Sequence, residues 1–286
     1  MYNFPFELDD FQKEACECIS NKKSVVVCAP TGAGKTVIAQ HAIHCALKEG
    51  KKVFYTTPLK ALSNQKFNDF SEKYGADKVG LLTGDTSHNR SAQIVVMTTE
   101  VFRNMLYGTN FGSVTDNLKD VGYVILDEVH YMNDEQRGTV WEESIIYCPT
   151  NVQIIALSAT VANADKLTEW INTVHSKTEL INTDFRPVPL RYFYFDSSQP
   201  NTILPLLTPN GTLNKKIKPE KKQFKRGKVV QKKSVVKDVV RNLYEKDMLP
   251  AIYFTFSRKK CDEQMERCAE LCLVNKHEQE QIQEII

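Results

Sequence analysis

The chain has 286 residues, 42% of them hydrophobic and 25% charged, with a formal net charge of +2. That is the profile of a soluble globular protein with core enough for one large domain or two ordinary ones, and the small net charge names no partner. No apolar run approaches the roughly 18 residues a membrane span needs, and Met1–Pro5 lacks the basic-then-apolar pattern of a signal peptide.

From the N-terminus, Phe4–Gln12 leads into a helix expected through Ile19, with Asp9 or Asp10 able to cap it and Phe11, Ala15 and Ile19 on one face. Gln12 offers both a donor and an acceptor, which suits an adenine edge, although an amide on an amphipathic helix is also ordinary. Ser24–Thr36 then reads as a short buried strand, a glycine-bearing loop and the first turn of a helix running to about Leu47. Gly32 and Gly34 let the backbone of Thr31–Gly34 turn its N–H groups inward, and the helix adds its own free N–H groups and positive dipole end. Lys35 can reach β/γ-phosphates and the Thr36 hydroxyl can ligate Mg²⁺. Ala33 lies within this loop, and Ala29 stands where the strict pattern has glycine. Together these residues predict a nucleoside-triphosphate site.

Further strands are expected at Lys52–Thr57, Val79–Leu82, Gln93–Thr98, Tyr123–Leu126 and Gln153–Leu157, alternating with helical segments. That alternation predicts an α/β fold with a mostly parallel sheet flanked by helices. Polar residues follow the strands where ligands sit in such sheets: Pro58–Lys66, Thr83-Gly84-Asp85, Thr99–Arg103, Asp127–His130 and Ser158–Thr160. Asp127 is placed to hold Mg²⁺ and Glu128 to orient and deprotonate a water. The eight cysteines form no paired C-x₂-C clusters, so reduced thiols are expected rather than a zinc site.

Ala29–Thr36, Asp127–His130 and Ser158–Thr160 resemble motifs I, II and III of superfamily 2 helicases of the DExH-box type. The longer strings at Phe6–Gln12, Pro58–Lys66, Leu82–Asp85, Thr98–Glu100, Asp127–Met132, Arg137–Glu143 and Phe185–Leu190 look like the superkiller-type RNA helicases, in their bacterial and plastid form. The resemblance implies ATP and Mg²⁺ as cofactors, single-stranded RNA (or DNA) as partner, contacts with RNA-processing or degradation factors, and a cytoplasmic or plastid setting. It implies adenine contacts for Phe6 and Gln12, and triphosphate and metal chemistry for Lys35, Thr36, Asp127 and Glu128. It further implies coupling roles for His130, Ser158 and Thr160. Backbone contacts to nucleic acid are implied for Pro58, Lys60, Gln65, Thr83, Gly84, Asp85, Thr99, Glu100 and Arg103, with Ser257 and Arg258 in a later motif. A non-hydrolysing RNA clamp is the reading from a different class.

The first RecA-like domain is expected over residues 1–196 and a basic linker over 197–233, where Lys215–Lys233 carries ten Lys/Arg against one Glu. Such a run is a solvated insertion or an electrostatic contact to phosphates. An amphipathic helix is expected from Ser234 to Asp247. Ala251–Cys261 should form a strand passing into a helix, the start of a second RecA-like domain over 234–286. No counterpart of motifs V and VI follows, so the chain reads as the N-terminal portion of a larger helicase.

Overall fold

The computed structural model describes residues 4–108, 117–195, 202–217, 224–225, 228–229 and 236–285. The chain divides into two compact units, Met1–Val188 and Pro189–Ile286. In the first, helix α1 (Asp10–Ser20) precedes strand β1 (Ser24–Cys28), whose five residues are all buried. Helix α2 (Lys35–Lys48), β2 (Lys52–Thr57), α3 (Lys60–Tyr74), β3 (Val79–Leu82), the short β4 (Ser87–His88), β5 (Ile94–Thr98) and α4 (Thr99–Leu106) follow. After β6 (Val121–Leu126) a 3₁₀ turn at Val129–Asn133 leads to α5 (Gly138–Ile146), β7 (Gln153–Ser158), α6 (Ala164–Val174) and β8 (Thr178–Asn182).

The eight strands form one sheet in the order β4-β3-β5-β2-β6-β7-β1-β8, parallel except for the edge strand β4. Strands buried on both faces are near-continuous aliphatic runs, because helices cover both sides of a parallel sheet. Alternate residues of each strand go to different cores: Val25 and Val27 pack with α1 and α2, whereas Val26 and Cys28 pack with α4, α5 and α6. The expected parallel α/β architecture is thus the observed one. Two strands, β4 and β8, go beyond those that the sequence pattern predicts. β8 lies beside β1, pairing Ser24 with Thr178 and Cys28 with Asn182, while β7 pairs on the other side with Val25 opposite Ile155.

The second unit holds an antiparallel pair, β9 (Phe193–Phe195) with β10 (Ile203–Pro205), inside and beside the span expected to be an irregular linker. Helices α7 (Val236–Glu245) and α8 (Arg258–Cys268) pack together, and α9 (Lys276–Ile285) follows. The strand expected at Ala251–Phe256 does not form. A strand requires a neighbour for its backbone groups, none pairs with it among the described residues, and Ile252, Phe254 and Phe256 are exposed instead. Most of the basic run, Lys218–Gln223, Arg226–Gly227 and Val230–Val235, lies outside the described residues. No described helix is long and apolar enough to cross a membrane.

Candidate nucleotide and nucleic-acid site

At the C-terminal end of β1 the chain turns through Gly32 (φ +87°) and Gly34 (φ +88°) into α2. Both are left-handed conformations that disfavour a side chain. A Cβ on Gly34 would also lie 2.7 Å from Gln12 Nε2, whereas one on Gly32 would meet nothing within 4 Å and would project into the open face of the loop. Lys35 extends back across the loop, and its ammonium donates to the carbonyls of Ala29 (2.8 Å) and Pro30 (3.2 Å). Burial pushes the Lys35 amine below its usual value, and the nearby Glu128 and Asp127 carboxylates pull it back up.

Gln12 is buried, and its amide is committed on both sides. Nε2 donates to the carbonyls of Ala33 and Gly34, each at 3.3 Å, while Oε1 accepts from Asp9 N–H at 3.0 Å. It thereby splints the start of α1 to the phosphate loop. Phe6 is half exposed with its ring 5.5 Å from that of Phe4. Thr31 is exposed and Thr36 is half-buried in the first turn of α2.

The acidic pair follows β6. Asp127 Oδ2 accepts from the Tyr55 hydroxyl at 2.6 Å, and Oδ1 accepts from the Glu128 N–H at 3.0 Å. Tyr55, on β2, is fully buried, and burial together with Asp127 holds its hydroxyl firmly protonated. Glu128 has φ +56°, a left-handed position that a glutamate seldom occupies. Burial, then the Asp127 charge, raise its carboxyl above the ordinary range, partly offset by His130 and Lys35. His130 Nδ1 lies 3.3 Å from Glu128 Oε2 and 3.4 Å from the Ala159 N–H. A protonated Nδ1 donates to Glu128 and a bare one accepts from Ala159, so the imidazole's proton decides which partner it engages. The carbonyl of the buried Ser158 in turn accepts from Ala29 N–H at 3.2 Å. Lys35, Asp127, Glu128, His130 and Ser158 therefore lie on one continuous chain of contacts across the ends of β1, β6 and β7. Thr160 stands exposed beyond it.

Along the ends of β2, β3 and β5, Lys60 pairs with Asp85 at 3.0 Å, and Thr83 Oγ1 donates to Asp85 at 2.8 Å beside the exposed Gly84. Gln65 is exposed. Pro58 and Thr99 are buried, and Thr99 Oγ1 donates to the Thr57 carbonyl at 3.2 Å. Glu100 is ion-paired with Arg137, and Arg103 lies 3.5 Å from Glu143. Ser257 and Arg258 belong to the second unit, where the Ser257 hydroxyl accepts from the Lys260 N–H at the start of α8. Sequence reasoning gives no role to Tyr55 or Arg137. A tyrosine in the middle of a strand that is buried from Val53 to Thr57 is the available signal for the first, since a buried phenol needs a partner.

A model of the DEAD/DEAH box helicase family matches residues 9–167, more than half of the chain and all of the elements just described from α1 to the start of α6. The chain belongs to that family. Among its relatives, the chloroplastic DExH-box ATP-dependent RNA helicase DExH15 of Arabidopsis thaliana is 42% identical over 308 residues, covering 91% of this chain and 26% of the relative. A probable helicase HelY of Mycobacterium leprae is 41% identical over 308 residues, covering 99% of this chain and 33% of its own length. The chain thus spans about a quarter to a third of these relatives. The crystal structure of the helicase MrfA superposes with a TM-score of 0.62 at 19% identity, over 93% of this chain and 39% of that one, a likeness of fold.

Proposed function

We propose that this chain is the nucleotide-binding portion of an ATP-dependent RNA helicase of the superkiller type. The observation that carries the reading is the linked set of Lys35, Asp127, Glu128, His130 and Ser158 at the strand ends beside two left-handed glycines. The donor set fits a Mg²⁺-bound triphosphate. The open face at Gly32 and the first turn of α2 offer N–H groups to phosphate oxygens, Lys35 offers a charge, and Thr36 and Asp127 are hard oxygen ligands for the metal. When bound, the metal neutralises charge on the β- and γ-oxygens. Tyr55 then holds Asp127 in one orientation, and Glu128 accepts a proton from the attacking water. His130 lies where it can relay the state of Glu128 to the segment after β7.

Lys60, Gly84, Gln65 and Arg103 furnish the strand-facing surface, and contacts of this type fix a backbone without reading bases. The name of the chloroplastic relative favours RNA. The test is steady-state phosphate release by the full chain with no strand, with single-stranded RNA and with matched DNA, alongside Lys35→Ala. Stimulation by RNA above DNA, abolished with nucleotide binding in Lys35→Ala, is the expected result. Unchanged nucleotide affinity in that variant would sink the phosphate-loop assignment, and DNA stimulation equal to or above that of RNA would make the chain a DNA translocase. Strand and nucleotide binding without turnover would mark it as a clamp.

A further inference from the structure

Arg137 joins three segments that are far apart in sequence. Its Nη2 donates to the Pro58 carbonyl at 2.7 Å and to the Glu100 carboxylate, and its guanidinium lies over the Trp141 ring, 6.0 Å from the centroid. Pro58 opens the segment after β2 that leads to Lys60 and Gln65, and Glu100 sits in the first turn of α4 one turn before Arg103. The backbone behind Arg137 is held to the other functional region. Gly138 N–H donates to Asp134 O at 2.8 Å, and a Cβ on Gly138 would lie 2.2 Å from the Met132 carbonyl, so the start of α5 rests directly on the turn that carries His130. Tyr131 in that turn stacks on Trp141 at 5.9 Å, which fixes the turn to the same helix a second time. Arg103 and Glu143 add a parallel tie between α4 and α5.

Both bonds leave one nitrogen of a planar guanidinium, whose two N–H directions are fixed, so Nη2 can engage a carbonyl and a carboxylate together only while the two keep their spacing. A shift of the Val129–Asn133 turn carries Arg137 with it and must either move or release Pro58 and Glu100. We propose that Arg137 is a positioning residue that transmits the state of the nucleotide pocket to the strand-facing segments. The inference rests on the reading of the site as a nucleotide-driven strand binder.

Amide hydrogen exchange of the full chain, with and without a Mg²⁺-bound non-hydrolysable ATP analogue, tests it in the parent, Arg137→Ala and Arg137→Lys. In the parent, nucleotide should alter exchange across residues 59–66 and 99–104. In Arg137→Ala, nucleotide affinity should stay near that of the parent while these segments exchange faster by about tenfold and ignore the nucleotide. Arg137→Lys, which keeps the charge but replaces the fixed N–H directions of the planar Nη2 with a freely rotating ammonium, should respond partially, and it retains the test if the alanine variant folds poorly. Affinity for a fluorescent single-stranded RNA should rise with nucleotide in the parent and stay constant in Arg137→Ala. A parent that binds no nucleotide overturns the functional reading and this inference with it. A parent that binds nucleotide without any response at 59–66, or an Arg137→Ala that responds as the parent does, overturns the inference alone.

Discussion

Glu128 holds a backbone conformation that costs a non-glycine residue roughly 1–3 kcal/mol, and it does so at the mouth of the phosphate loop. The conformation turns its carboxyl toward His130 instead of along β6, which is the arrangement a base needs if its protonation is to be sensed nearby. Glu128→Gln should keep nucleotide affinity and lose turnover by about 10²–10⁴. Equal turnover in the variant would remove Glu128 from the chemistry. Because burial and Asp127 raise its carboxyl, and a base works only when ionised, turnover should increase with pH through a midpoint above the ordinary carboxylate value. A log-rate profile at saturating nucleotide that is already flat at the usual carboxylate pKa would contradict the assignment.

At the scale of elements, β2 supplies more than sheet. Tyr55→Phe keeps the ring against Phe70 and removes only the hydroxyl that Asp127 accepts from. The fold should persist while the Mg²⁺ concentration for half-maximal turnover rises about fivefold, the worth of one hydrogen bond. No change in Mg²⁺ dependence would confine Tyr55 to packing. The α1–α2 interface carries a different load. His41 is buried beside Ser20 Oγ at 2.9 Å and its imidazole is pushed down from 6.5 to about 4, chiefly by burial. The unfolded chain binds the proton first, so stability is complete above pH 6.5 and falls as pH drops toward 4, by about 3 kcal/mol. Denaturant unfolding at a series of pH values should show this limb, and His41→Asn should flatten it.

The elements legible in the sequence are those with one dominant signal. The aliphatic strands from Ser24 to Ser158 announce a two-sided parallel sheet, and the glycines and lysine after β1 announce the loop. Thr178–Asn182 is illegible because an edge strand with Glu179 and Asn182 has no such pattern, and only its pairing with β1 makes it a strand. Ala251–Phe256 fails in the opposite sense, since its β-branched and aromatic content is a preference that needs a partner. In the site, spacing reveals the groups proposed to act on phosphate, whereas Tyr55 and Arg137 make hydrogen bonds between residues 72 and 79 positions apart, which no local pattern encodes.

For the molecule as a whole, the small net charge conceals the basic stretch Lys215–Lys233. If that stretch meets phosphates, neutralising it should flatten the plot of log affinity against log salt by about 0.7 for each single-strand phosphate it no longer pairs with. An unchanged slope would leave it as solvated chain. The order of the sheet has a consequence for synthesis on the ribosome. β1, the strand that bears the glycine loop, is made long before its neighbours in the sheet, β7 and β8, with Val25 opposite Ile155 and Ser24 opposite Thr178. At roughly 5–20 residues per second, its unpaired backbone and aliphatic side chains wait about 6–26 s for the nearer of the two. Until then the nascent chain carries an unpaired, sticky strand and an unformed loop, so a ribosome halted before Gln153 should expose a chaperone substrate with no grip on nucleotide.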